Sequence, residues 1–263
     1  MPLYQMQFEL TTNILDSLIL AIEEKNTAFL HKQLHDLYPQ DIAIIINQLN
    51  LEQAAYLYEI LDDDVAHIVL LELDDDKREE LLATFSSKEI AEQIDNMDSD
   101  DAADVISELP KKIQEEVLSH IEDIDQASDI AELINFEEGT AGSLMAKELV
   151  SVYAHETVNA CIEEIRKQTD NVDVMYAVYV LDTNERLIGM LSLKKLIISH
   201  PLAKIEEIYE PDIQFVKTNT STIDVAEFMQ KFDLVVLPVV DQLGRLVGRI
   251  TIDDVMDVIK ENS

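Results

Sequence analysis

Basic residues are scarce in this chain: 19 Lys and Arg stand against 54 Asp and Glu in 263 residues, a formal net charge of −35. Such a surface repels nucleic acid and anionic head groups and concentrates cations around itself. Cys161 is the one cysteine, which excludes a disulfide framework within the chain. It falls in the helical pattern Val158, Cys161, Ile162, Ile165 and reads as a small core residue. Glycine is nearly as rare, with five in all. Long apolar runs are missing, and stretches such as Leu234 to Val240 are far too short to span a bilayer. The N-terminus shows no basic stretch followed by an apolar run and a cleavage site. The chain as given is therefore expected to be soluble in a cytoplasmic setting. There is no Walker loop, no Gly-x-Gly-x-x-Gly, no Gly-x-Ser-x-Gly elbow and no paired-Cys motif, so no enzyme activity is expected. A lone thiol in an apolar stripe is not an activated nucleophile.

What is present is a period. Leu37, Leu49, Leu61, Leu73, Phe85, Met97, Leu109, Ile121 and Leu133 follow one another at intervals of twelve residues. A second apolar series runs three places ahead: Ile46, Tyr58, Leu70, Leu82, Ile94, Ile106, Leu118 and Ile130. Polar punctuation falls between, as Asp62-Asp63-Asp64, Asp74-Asp75-Asp76, Ser86-Ser87, Asp98-Ser99-Asp100 and Pro110. One apolar stripe per fixed unit predicts stacked short helices, each burying its face on its neighbours. With 47% hydrophobic residues and this length, the chain can hold two or three domains with real cores.

The Asp runs raise a physical question. Two carboxylates about 4 Å apart repel by on the order of 4 kcal/mol at an effective dielectric near 20. Either they splay into solvent or a cation sits between them.

After Phe136 the beat stops. Glu137-Glu138-Gly139-Thr140-Ala141-Gly142 reads as a hinge, and a duplicated unit follows. Val178 to Asp182 with Arg186-Leu187-Ile188-Gly189 matches Leu237 to Asp241 with Arg245-Leu246-Val247-Gly248 at a constant offset. Each copy predicts a hairpin closed by turn residues. A helix precedes each (Thr157 to Gln168; Ile223 to Phe232) and another follows (Ser192 to Ser199; Ile252 to Lys260). The unit is β-α-β-β-α, used twice. The expected fold class is α + α/β, an N-terminal superhelix of short repeated helices followed by the tandem pair.

The Val-Asp-x-x-Gly-Arg-Leu-Val-Gly hairpin with its Thr-x-x-Asp exit resembles the CBS domain. Asp100-Asp101-Ala102-Ala103-Asp104, the short helices, and Thr140-Ala141-Gly142-Ser143-Leu144-Met145 together resemble the cytosolic region of MgtE-type magnesium transporters. The resemblance implies a helical domain over 1–136, CBS domains over 137–201 and 202–263, and a transmembrane domain absent from this chain. It also implies a homodimer on the cytoplasmic side of the cell membrane, partnered by its own transmembrane domain. The implied role is Mg2+ sensing and gating, with closure on Mg2+ binding between the helical and CBS domains.

For the metal, the resemblance points to Asp100, Asp104, Asp233 and Asp254, and Asp257 joins them as a neighbour on the face of Asp254. Asp100 and Asp104 are four apart on a predicted helix, and Asp254 and Asp257 three apart on the last one, so each pair shares a face. The plain alternatives are a helix start at Asp100, a solvated Asp104 and an N-cap at Asp253 or Asp254. Ser221 and Ile223 stand where the family pattern is acidic, and of its C-terminal carboxylates Glu261 alone is in place. A second ligand class is adenine nucleotide, ATP among them, held through Gly248, Thr251 and Asp254; the first copy has Gly189 and Ser192 but Lys195 in place of the acid. A third reading is a helical scaffold for a protein partner. His31 and His35, four apart, make half a transition-metal site with no third ligand in view. Helix faces carrying Val225, Phe228 and Met229 are expected to need a partner chain to cover them.

Overall fold

The computed structural model describes residues 8–168 and 175–261, with the side chains of 257–261 outside the described set. Ten helices come first: α1(Thr12–Glu23), α2(Thr27–Leu34), α3(Pro39–Asn47), α4(Leu51–Glu59), α5(Asp63–Leu71), α6(Asp75–Leu82), α7(Ser87–Ile94), α8(Ser99–Ser107), α9(Lys111–Leu118) and α10(Ile124–Leu133). From α3 to α9 each helix begins twelve residues after the last. The period is thus one short helix and its turn. Starts are marked by local chemistry. Asn50 with Gln53 and Ser86 with Glu89 form reciprocal capping boxes, Thr11 and Asn26 cap by side chain, and Pro39 opens α3.

Helices two apart become neighbours: α3 on α5, α5 on α7, α7 on α9, and α4 on α6. The residues at the twelve-residue interval accordingly alternate. Leu49, Leu73, Met97 and Ile121 are buried, whereas Leu37, Leu61, Phe85 and Leu109 are half-buried. Long polar side chains tie successive layers by taking the carbonyls that helix ends leave unpaired. The Lys77 ammonium donates to the Leu49 carbonyl at 3.1 Å, and Arg78 to those of Leu71 and Leu73 while pairing with Glu108. The Gln114 amide donates to Leu109, and that of Gln126 to Ile94 and Met97.

The remainder comprises α11(Ala141–Leu144), β1(Val150–Tyr153), α12(Val158–Gln168), β2(Val178–Leu181), β3(Leu187–Leu191), α13(Leu193–Ile198), β4(Val216–Lys217), α14(Thr222–Phe232), β5(Val236–Val240), β6(Leu246–Thr251) and α15(Ile252–Glu261). Two three-stranded sheets result, ordered β1-β2-β3 and β4-β5-β6, each with a parallel then an antiparallel pairing. The register shifts at matching places, Val180/Leu181 and Val239/Val240. Cys161 is buried in the first core, where burial pushes its thiol up to about 12.

By contacts the chain divides into Met1–Met97 with Asp104–Ala127, and Asp98–Ala103 with Ser128–Ser263. The start of α8 therefore belongs with the strand-bearing unit. Within that unit the two copies exchange approach segments. Ala146 bridges to Arg249 on β6, and Glu210 to Met190 on β3. The close approach explains two glycines: a Cβ at Gly248 would meet the Ala146 carbonyl at 2.8 Å, and one at Gly189 the Glu210 carbonyl.

Two expectations are corrected. The stretch expected to be a hinge is anchored, since Ala141 and Gly142 donate to the carbonyls of Thr220 and Thr218, and Thr222 donates to Gly139. Val225 and Met229 need no partner chain, because both are fully buried and Phe228 is half-buried.

The turns closing the two hairpins match as well. Asp182 accepts from the Asn184 and Arg186 amides, and Asp241 from those of Leu243 and Arg245. The left-handed turn position is Gly244 (φ 83°) in the second copy but Glu185 (φ 63°) in the first. A side chain there is strained. Glu185→Gly should stabilise the chain by about 0.5–1 kcal/mol, the left-handed penalty less the added freedom of the unfolded glycine. Urea melts of the two proteins check this, and equal stability contradicts it.

Candidate metal centre

Position for position in the repeat, Asp62-Asp63-Asp64, Asp74-Asp75-Asp76 and Asp98-Ser99-Asp100 are equivalent, each opening a helix. The first two runs are exposed throughout, where they favour the positive helix end, and Asp75 pairs with Arg78. The third is different. Ser99 is fully buried, and Asp98 and Asp100 are half-buried. Beside them lies Glu148, two residues before β1. Carboxylate oxygens of Asp98, Asp100 and Glu148 all fall within 4.8 Å of one another.

Ser99 organises the cluster. Its amide donates to Glu148 Oε1 at 3.1 Å and its hydroxyl to Oε2 at 3.0 Å, while the hydroxyl accepts from the Lys147 amide at 2.8 Å. Glu148 thus caps α8 from a distant part of the chain, its charge against the positive end of the helix. Lys147 directs its ammonium to Glu132 at 2.8 Å. Arg249 on β6 reaches Asp98 with Nη2 at 3.0 Å. From α15 the charge of Asp254 acts on Asp100. Oδ2 of Asp254 accepts from both the amide and the hydroxyl of Thr251 at 2.8 Å.

Burial and like charge act together here. The Asp100 carboxyl is pushed well above the usual carboxylate range, first by burial and then by the charges of Asp254, Asp101 and Asp98, against one bond from the Asp101 amide. Burial also raises Glu148, helped by Asp98 and opposed by the Ser99 donors. Asp254 is raised by burial, with Thr251 and Arg249 pulling the other way. Oxygen donors alone, carboxylates in majority and short of positive charge, suit a hard divalent cation such as Mg2+.

Of the five expected metal residues, Asp100 belongs to the cluster, and Asp254 is near enough for its charge to act on it. Asp104 is exposed one turn further along α8. Asp233 is exposed at the end of α14, where it takes a left-handed conformation (φ 52°) that closes the helix. The side chains of Asp257 and Glu261 lie outside the described residues. Asp254 is not the cap of α15 but its third residue, accepting from Thr251 just before the helix, and its charge acts on Asp100. Gly248, of the nucleotide pattern, is packed against Met145 and Ala146. His31 and His35 are exposed on and just after α2. Asp98 and Glu148 were not anticipated. For Asp98 the signal was available in the Asp-Ser-Asp opening of α8, while Glu148 has no periodic partner to mark it.

A helical repeat joined to paired β-α-β-β-α units, with a carboxylate cluster at the start of α8, has the architecture of a helical domain followed by a tandem CBS pair. The model of the MgtE intracellular N domain matches residues 37–139, and that of the CBS domain matches 141–199 and 205–261. The magnesium transporter MgtE of Thermus thermophilus is 33% identical over 93% of this chain and 55% of that protein. The cytosolic domain of the Mg2+ channel MgtE in complex with ATP superposes with a TM-score of 0.83 at 33% identity, covering 93% of this chain and 99% of that one. The soluble part of a magnesium transporter gives a TM-score of 0.77 at 25% identity, covering 95% and 98%. The chain belongs to the MgtE family and spans about half the length of the curated relatives it matches. Those relatives are transporters and not enzymes. Among the described residues no helix is long and apolar enough to cross a membrane.

The electrostatics give a pH test. Asp100 is raised on folding, so its ionised form costs stability at neutral pH. That cost fades as pH falls through the folded value and is gone below the ordinary Asp value of about 3.9. Asp100→Asn should therefore raise the metal-free melting temperature at pH 7, with the advantage shrinking as the solution is acidified. A pH-independent difference, or a lower melting temperature at pH 7, contradicts the assigned environment.

Proposed function

We propose that this chain is the Mg2+-sensing and gating region of a magnesium transporter. The observation that carries the reading is the half-buried carboxylate trio of Asp98, Asp100 and Glu148, with the charge of Asp254 acting on Asp100, in a member of the MgtE family. A bound Mg2+ would supply two positive charges in a near-octahedral oxygen shell that retains several waters. Asp98, Asp100 and Glu148 are placed to hold it directly or through water, and Asp254 to add charge. Asp104 and Asp233 join them as further contacts implied by the family, and Asp257 as a neighbour of Asp254 on α15. Few protein ligands and retained water make for modest affinity, which suits sensing of an abundant ion. In this reading the metal-free acids repel and the domains part; with the ion bound they close.

The partner in the full protein is the transmembrane domain, with this region on the cytoplasmic side of the membrane. In this reading the helical domain is assigned 1–136 and the two CBS units 137–201 and 202–263. A second ligand, ATP, is supported by the ATP-bound MgtE cytosolic domain to which this chain is similar. Gly248, Thr251 and Asp254 are its candidate contacts.

Small-angle scattering with and without millimolar Mg2+, at constant ionic strength, tests the reading. Mg2+ should reduce the radius of gyration. Asp100→Asn and Asp254→Asn should each weaken that response, and the double variant should cost less than the sum, with a coupling of about 0.5–3 kcal/mol. ATP alone producing the compaction would favour the nucleotide-sensing reading. No response to either ligand would favour a scaffold.

We also propose a homodimer. Support comes from apolar side chains left open on and after α13, with Ile197 78%, Leu202 74% and Ile198 73% exposed. Sedimentation equilibrium at micromolar concentration should find a dimer with or without Mg2+. A monomer in both conditions refutes it.

A further inference from the structure

Arg249 is the charged side chain most deeply set beside the carboxylates, at 7% exposed. Its main chain is held by a pair of bonds to Ala146, the amide donating to the Ala146 carbonyl at 2.9 Å and the carbonyl accepting from the Ala146 amide at 2.8 Å. The guanidinium is then aimed by three contacts. Nε donates to the Glu148 carbonyl, Nη2 lies 3.0 Å from Asp98 Oδ2, and the Tyr176 ring centre is 5.6 Å from the guanidinium carbon. Asp98 is one of the three carboxylates that share the 4.8 Å cluster. The arginine thus already pairs with a carboxylate that a divalent ion there would use.

We propose that Arg249 is a built-in counter-ion that competes with the divalent cation for Asp98, and so sets the metal affinity of the site. This rests on the metal-site reading above. A guanidinium stays protonated at any physiological pH, so the competition cannot be switched off by titration. Its planar donors make directed bonds to the Glu148 carbonyl and Asp98, so without metal it holds the 98–103 segment in place. With metal, a fixed positive charge stands next to a dication in a half-dry niche, where the repulsion is poorly screened. Arg249 therefore favours the metal-free arrangement and opposes the loaded one.

Calorimetric Mg2+ titration of the chain, with melting temperature measured in EDTA, tests this on Arg249→Met, Arg249→Lys and the control Asp100→Asn. Arg249→Met should bind Mg2+ about tenfold or more tightly and melt at a lower temperature without metal. Arg249→Lys keeps the charge and should stay within about threefold of the parent. Binding by Arg249→Met alone, with none by the parent, supports the proposal in its strongest form. A lower melting temperature with Mg2+ affinity unchanged or weakened is the mark of a purely structural arginine and overturns it. If Asp100→Asn binds Mg2+ as the parent does, or neither the parent nor Arg249→Met binds it, the metal-site reading falls and this inference with it. Should Arg249→Met not fold without metal, Arg249→Gln, which retains a donor for the Glu148 carbonyl, carries the same comparison.

Discussion

Carboxylates cannot be gathered in a half-buried niche without something to balance them. Asp98, Asp100, Glu148 and Asp254 are balanced unequally. Glu148 has the amide and hydroxyl of Ser99 at the positive end of α8. Asp254 has the two donors of Thr251, and Asp98 has Arg249. Asp100 has the amide of its neighbour Asp101. It is the least compensated of the four, and its carboxyl is the one displaced furthest from the ordinary range. Polar chemistry around the niche thus secures its walls and leaves the deficit at one group. That distribution suits reversible binding of a cation better than permanent neutralisation.

The repeat supplies the contrast that makes the deficit meaningful. Acidic residues at helix starts are ordinary in this chain, and at Asp62 to Asp64 and Asp74 to Asp76 they are solvated. Negative charge alone therefore explains nothing about Asp100. The difference is made by Ser99, which takes the place held by Asp63 and Asp75 in the other two runs and is small enough to bury. A carboxylate there would meet Glu148. A hydroxyl bonds it.

The helical period and the duplicated unit were legible because both are repeats, and a repeat is visible without any knowledge of contacts. One helix per twelve residues follows from one apolar stripe and one polar turn. Asp100 and Asp254 were legible through family resemblance, since their spacing alone favours a cap or a solvated face. Glu148 and Arg249 were not, because what matters about each is a neighbour far away in sequence. Val225 and Met229 went wrong for a related reason. An amphipathic pattern says that a face is covered, not by what, and α11 and α15 already pack against α14. The anchored stretch before β1 was misread as a hinge because glycine marks both free turns and close approaches. Gly142, whose Cβ would overlap the Phe136 ring, is of the second kind.

The two CBS copies share strand order, register shift and turn chemistry, so their differences locate what was specialised. Each edge strand presents one residue to the segment arriving from the other copy: Met190 in the first, Arg249 in the second. The residue that opens the following helix region is Ser192 in one and Thr251 in the other. Three places on, Lys195 pairs with Glu210, whereas Asp254 folds back on Thr251 and its charge acts on Asp100. A shared backbone tolerates either set. The first copy spends the strand position on an apolar side chain and puts a lysine on the helix. The second places a guanidinium and a carboxylate where Asp98 and Asp100 lie. The symmetry of the fold supplies two equivalent frames, and the acidic start of α8 is read by only one of them.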